Sequence, residues 1–314
     1  MCVFFGLWGF GPALAHRVIG GSVRAAFEAQ LPWLSSLLLE ALRLASVLAA
    51  AWFAARFVDR RPFSHYGFRI HRTWWLDLGF GVLLGALLMG TIFAISLAAG
   101  WVQVVDVLVA PAGTPFGGMF VSAIFLYVVV AIAEELLARG NQLLNMTEGF
   151  RPLGRWQAVM LAWLISSVIF GALHILNPNA TGRSIAYLAW YGVLLGAGFV
   201  FTGELALPIG LHFSWNFVQG SIFGFAVSGR SLLGVSVLST VETGPEFWTG
   251  GAFGPEGGLL GVLAAAAGIL LIIGWVRWRT GSLALSNLYA NTFVAQVTCT
   301  QASASTPEEN TKQE

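Results

Sequence analysis

In the run Ala133-Glu134-Glu135-Leu136-Leu137-Ala138-Arg139, two carboxylates and an arginine follow a stretch, Phe125 to Ile132, so apolar that its natural solvent is lipid. An acid at bilayer depth costs about 2.5–3.5 kcal/mol on insertion scales and usually faces a protein interior or a wet cavity. Glu135 and Arg139 stand four apart with the acid first, the favourable order for an ion pair along a helix. A structural salt bridge accounts for those two. Glu134 points about 100° away from Glu135 around a helix, so the same arginine leaves it needing another partner.

Of the five histidines only His174 and His212 fall in apolar stretches. Phe170 and His174 share a helix face, and so do His212 and Asn216, because each pair is separated by four residues. A lone core histidine ordinarily satisfies a hydrogen bond and nothing more. Two of them, beside an intramembrane glutamate and an asparagine, are the side chain types from which a hydrolytic centre is built. Glutamate withdrawn from water is a competent general base, and a neighbouring imidazole can share the proton. Imidazole and carboxamide N–H groups one turn apart can converge on the oxygen of a tetrahedral intermediate. That chemistry is peptide or ester hydrolysis.

Glu134-Glu135-x-x-x-Arg139, Phe170-x-x-x-His174 and His212-x-x-x-Asn216, in that order on successive apolar segments, resemble the three-motif signature of the type II CAAX prenyl endopeptidases, also called CPBP or Abi intramembrane proteases. The resemblance covers Phe116 to Phe225. It implies a membrane-embedded protease in which Glu134 and His174 activate the attacking water and His212 and Asn216 stabilise the oxyanion. Glu135, Arg139 and Phe170 would be supporting residues. Glu134, His174 and His212 also make a three-ligand set for zinc with an open fourth position, a metalloprotease-like alternative. The metal-free reading is preferred because the helical spacing joins His to Phe and to Asn, whereas H-E-x-x-H zinc sites join His to His.

Composition sets the surroundings. The 314 residues are 57% hydrophobic and only 10% charged, with a mean hydropathy of +0.76. Soluble domains carry about 25% charged residues, so this is a polytopic membrane protein. A net charge of +1 excludes a nucleic-acid binder. Cys2 and Cys299 lie at opposite ends of the chain and support neither a disulfide framework nor a thiol metal site.

A span needs about 20 mainly apolar residues. Seven stretches qualify: Leu31 to Phe57, Trp74 to Ala99, Phe116 to Asn141, Trp156 to Ile175, Ser184 to Phe201, Leu205 to Val227 and Gly258 to Val276. The predicted fold is therefore an all-α polytopic bundle of about seven transmembrane helices, or eight if the first residues also cross. Arg56, Arg60, Arg61, Arg69 and Arg72 place the first link in the cytoplasm, as Arg151 and Arg155 do the third. The links Gly100 to Pro115 and Ser228 to Gly257 then lie outside, and this scheme puts His174 nearer the outer end of its span than Glu134 and His212. Those groups meet only if the fourth helix is tilted or displaced, or if Asn177-Pro178-Asn179 folds back into a wet cavity.

Residues 1–30 read as an interfacial segment. Its apolar first fifteen residues end in Ala13-Leu14-Ala15, which resembles a signal cleavage site but lacks a positively charged leader. Residues 31–280 form the transmembrane domain, with the family-like core at 116–225, and 281–314 read as a disordered polar tail. Glycines 79, 81, 85 and 90, and 192, 196 and 198, are spaced for close helix packing. Glu40 with Arg43, and Asp77 near a span end, read as structural. The expected partners are the lipid bilayer and a membrane-associated peptide or protein substrate, and the expected location is a bacterial inner (cell) membrane. Two other classes compete: a transporter, disfavoured because no inverted repeat is visible, and a non-catalytic scaffold or bacteriocin self-immunity protein of the same fold.

Overall fold

The computed structural model describes residues 31–286 and Leu288, so the expected interfacial segment 1–30 and most of the expected tail 281–314 lie outside the described residues. Helix α1, Pro32–Phe53, continues through a π-helical turn to Val58, and α2 spans Arg72–Ala98. Strand β1, Val102–Val109, precedes α3, Phe116–Glu135, which runs through π-helical Leu136–Leu143 into α4, Leu144–Gly149. Helices α5, Arg155–Ala172, and α6, Gly182–Thr202, are followed by α7, Ala206–Phe217, with a π-helical extension Val218–Ile222. Strand β2, Ser236–Glu242, short α8, Glu246–Thr249, and α9, Leu259–Thr280, complete the order.

Six helices among the described residues are long and apolar enough to cross a membrane: α1, α2, the continuous rod α3–α4, α5, α6 and α9. The protein is a multi-pass membrane protein. The seventh expected span, Leu205 to Val227, differs. Helix α7 has 12 residues and its extension five, together at the short limit of a span. Ten of its 12 residues are buried, because α2, α3 and α6 pack around it. It is a core helix, apolar because protein rather than lipid covers it.

The contact of α2 with α7 is backbone to backbone. A Cβ at Gly81 would lie 2.3 Å from the Leu207 carbonyl oxygen, and one at Gly85 2.1 Å from Ser214 Oγ. Glycines 192, 196 and 198 are similarly closed in, whereas 79 and 90 face open space and pack against nothing.

Links gather on two faces. On one, Arg61 pairs with Glu148 at 2.6 Å, Arg69 with Glu204 at 2.7 Å, and Arg155 donates to the Leu285 carbonyl at 2.9 Å. This face carries the arginine-rich links expected in the cytoplasm. On the other, β1 and β2 pair antiparallel from Val102↔Glu242 to Val109↔Ser236, with an irregularity between Val104 and Asp106. Two links expected on one side are thus tied together. The sheet itself departs from the all-α expectation: Val102–Val109 holds five valines, and β-branched residues favour a strand where a partner edge is available.

Candidate active site

Glu134 and Glu135 close α3 immediately before its π-helical segment, a distortion often found at functional sites. Glu135 is fully buried and is the pivot of a charged chain. Arg139 Nη1 donates to Glu135 Oε1 at 2.9 Å, and its Nη2 donates to the Gly192 carbonyl of α6 at 3.0 Å. The guanidinium also lies 4.6 Å over the Phe170 ring, a favourable cation–π position. The ion pair read from the spacing is therefore present, with two further supports.

His212 of α7 brings its Nδ1 to 2.7 Å from the same Glu135 oxygen. The carboxylate already accepts from Arg139, so Nδ1 carries the hydrogen and donates. The other ring nitrogen, Nε2, is left 3.9 Å from Glu134 Oε2. Glu134 turns away from the arginine as its helical angle requires, and its side chain keeps 26% exposure, against none for Glu135.

His174 sits just past the end of α5, with Nδ1 2.9 Å from the Phe170 carbonyl oxygen. A carbonyl only accepts, so Nδ1 is the donor, and in the neutral ring the lone pair then sits on Nε2. Phe170 is the hub between the two imidazoles, its ring centroid 5.2 Å from His174 and 6.1 Å from His212.

Glu134, His174, His212 and Asn216 all line one cavity of about 420 Å³. The difference in depth expected from the topology is resolved by the turn after α5. Asn177 Nδ2 donates to the Ser228 carbonyl at 2.9 Å, and Asn179 Nδ2 reaches the Ala252 carbonyl at 3.4 Å. Asn177-Pro178-Asn179 thus folds onto the link before β2 and the one after α8. Asn177 lines the cavity, a place where irregular backbone is tolerated at membrane depth.

Among the described residues no three His, Cys, Asp or Glu side chains are grouped to hold a metal ion. Both imidazoles commit Nδ1, one to Glu135 and one to Phe170, and leave Nε2 unbonded, as metal-ligating histidines also do. What does not fit is the spacing: Glu134, His174 and His212 line the cavity without closing into a three-ligand group.

The sequence reading missed Glu256. It lies in the link before α9 and is 5% exposed, yet it lines the cavity. The Ser228 amide and hydroxyl donate to its Oε2 at 2.7 and 2.8 Å. Burial pushes its carboxyl above the usual carboxylate range, while Ser228 and the fields of His174 and His212 hold it back. The available signal was a single acid in the glycine-rich run Gly254-Pro255-Glu256-Gly257-Gly258 against an apolar span. Arg43, read only as the partner of Glu40, makes that ion pair and lines the cavity as well. Asp77 is 1% exposed and bound by Trp275 Nε1 at 2.8 Å and Arg279 at 3.0 Å, a structural pair.

Fold and site together define a class, a multi-pass membrane protein whose helices enclose a polar cavity rich in titratable groups. Residues 116–218 match the family model described as Type II CAAX prenyl endopeptidase Rce1-like. That segment holds all three motifs, so the resemblance drawn from them is shown, and the family is one of proteases. An uncharacterized protein of Bacillus subtilis (strain 168), YyaK, is 25% identical over 223 residues, covering 64% of this chain and 65% of that protein. The chain thus spans just under two thirds of that relative's length. No solved structure matches the chain.

Proposed function

We propose that this protein is an intramembrane endopeptidase that hydrolyses a peptide bond of a membrane-associated peptide or protein, in a bacterial inner membrane. The observation that carries the reading is the gathering of Glu134, His174, His212 and Asn216, from α3, α7 and the turn after α5, on one cavity above a fully buried Glu135. The match over 116–218 supports the same reaction class.

Water held between Glu134 and His174 Nε2 loses a proton to that pair as its oxygen bonds to the scissile carbonyl carbon. The carbonyl π electrons move onto oxygen, and the oxyanion takes hydrogen bonds from Asn216 Nδ2 and from His212 Nε2–H. Since His212 Nδ1–H already serves Glu135, the imidazole offers a second N–H only as imidazolium. Two carboxylates, Glu134 and Glu135, then balance Arg139 and His212, so these four groups are neutral together. Neutrality lowers the cost of burial. When the intermediate collapses, the C–N bond breaks and the leaving amine takes the proton stored on Glu134 and His174. Glu135 and Arg139 act by orienting His212, and Phe170 spaces the two imidazoles.

The test is Glu134→Gln in protein reconstituted into liposomes with membrane-anchored reporter peptides. Cleavage by the wild type and none by the correctly folded variant is expected. Undiminished cleavage by the variant overturns the assignment of the base, and a phenotype that persists in it would favour a scaffold.

A further inference from the structure

We infer that Glu256 is a positioning residue of the same centre, one that fixes the loop of His174 and places a negative charge facing both imidazoles. The inference rests on the hydrolase reading above, but Glu256 and Ser228 lie outside the three motifs and the matched segment 116–218.

Three separate segments close against one another here. Asn177, three residues after His174, donates to the Ser228 carbonyl at 2.9 Å, while the Ser228 amide and hydroxyl hold Glu256 Oε2 at 2.7 and 2.8 Å. The Gly229 amide donates to the Phe253 carbonyl at 2.8 Å, fastening the seam a second time. No side chain fits in it. A Cβ at Gly229 would lie 1.9 Å from the Pro178 carbonyl oxygen, and one at Gly254 2.1 Å from that of Ala226. Ser228 itself adopts φ +47°, a left-handed conformation uncommon for a residue with a Cβ. Such strain persists where the surroundings fix it, and here it directs both the amide and the hydroxyl of one residue at one carboxylate oxygen.

With Oε2 so held, Oε1 has no hydrogen-bond partner among the described residues, and Glu256 lines the cavity shared with His174 and His212. A carboxylate held by fixed donors beside the reacting groups acts on charge that develops during reaction. When His174 accepts a proton from the attacking water, the new imidazolium forms in the field of Glu256. The carboxylate neither takes that proton nor touches the scissile bond. Its effect should fall on turnover rather than on substrate binding.

The experiment compares Glu256→Gln, Glu256→Asp and Glu134→Gln in liposomes with one cleavable anchored peptide, measuring kcat and KM and checking folding by thermal unfolding. Gln keeps the size of Glu256 and can still accept from Ser228, but it removes the charge. The expected result is a fall of about tenfold or more in kcat with KM within about twofold, and partial recovery in Glu256→Asp, which restores charge at shorter reach. Cleavage by Glu256→Gln within about twofold of wild type overturns the inference while the hydrolase reading stands, provided Glu134→Gln is inactive in the same vesicles. Cleavage that survives Glu134→Gln overturns the hydrolase reading, and the role of Glu256 with it. If Glu256→Gln does not fold, Ser228→Ala carries the test by removing one of the two donors. A kcat lowered about threefold or more at constant KM supports the inference, and an unchanged kcat rejects it.

Discussion

Two of the arginine–carboxylate pairs in this bundle, each with a buried acid, have different fates. Asp77 on α2 accepts from Trp275 and Arg279, one partner on each oxygen. Glu135 on α3 accepts from Arg139 and from His212 on a single oxygen. The indole has one N–H and stops there, whereas the imidazole has a second nitrogen, which faces Glu134. The first pair is a closed structural clamp between α2 and α9. The second transmits its charge into a cavity. A buried ion pair is thus no mark of function by itself; what distinguishes the two is whether a member of the network keeps an unused polar atom directed at open space.

The comparison can be broken most directly at the cavity. Glu134→Gln should lower kcat/KM by about 10²–10⁴-fold with little change in unfolding temperature. Asn216→Ala should lower kcat by about 10²–10³-fold with KM nearly constant, as loss of one oxyanion donor does. Steady-state cleavage of an anchored peptide checks both.

The pairs themselves come next. Arg139→Leu leaves Glu135 buried without its cation and should cost about 3–5 kcal/mol of stability together with most activity. Arg279→Leu, at a side chain that keeps 19% exposure, should destabilise less and leave turnover per folded molecule unchanged. Denaturation in detergent with parallel activity assays separates them; equal loss of activity in both variants would erase the distinction.

The smallest effect concerns an acid with no arginine among its described partners. Burial pushes Glu242 on β2 up to about 7, from an ordinary value of 4.5, with Thr249 and the Gly251 amide partly offsetting it. A raised carboxyl favours the protonated folded form, so its stabilising contribution is complete below pH 4.5 and is lost as pH rises through about 7. Amide exchange of β1 and β2, corrected for intrinsic rates, should show easier opening at pH 8 than at pH 6. Glu242→Gln should abolish that difference.

Much of this was legible in the chain. The ion pair of Glu135 with Arg139 follows from helical spacing alone, and even the π-helical distortion between them leaves it intact at 2.9 Å. Six of seven spans follow from apolar length. The seventh differs in being buried, since hydropathy cannot tell lipid from protein as the apolar neighbour of α7. Glu256 was invisible because its importance depends on Ser228, 28 residues earlier in the chain, and no periodicity links a loop residue to a partner across a chain reversal. The sheet was missed for a similar reason, since β1 and β2 are more than a hundred residues apart.

The sequence by itself determined the solvent, the helices and the identities of the polar side chains, because the cost of inserting a charge and the pitch of a helix are local properties. Only the tertiary structure decided that His174, from a turn, reaches the cavity of His212 and Glu134, that α7 is sheathed by protein, and that an extramembrane link adds a third carboxylate. Those outcomes depend on how distant segments close against one another, through glycine contacts and backbone hydrogen bonds whose partners no local pattern specifies.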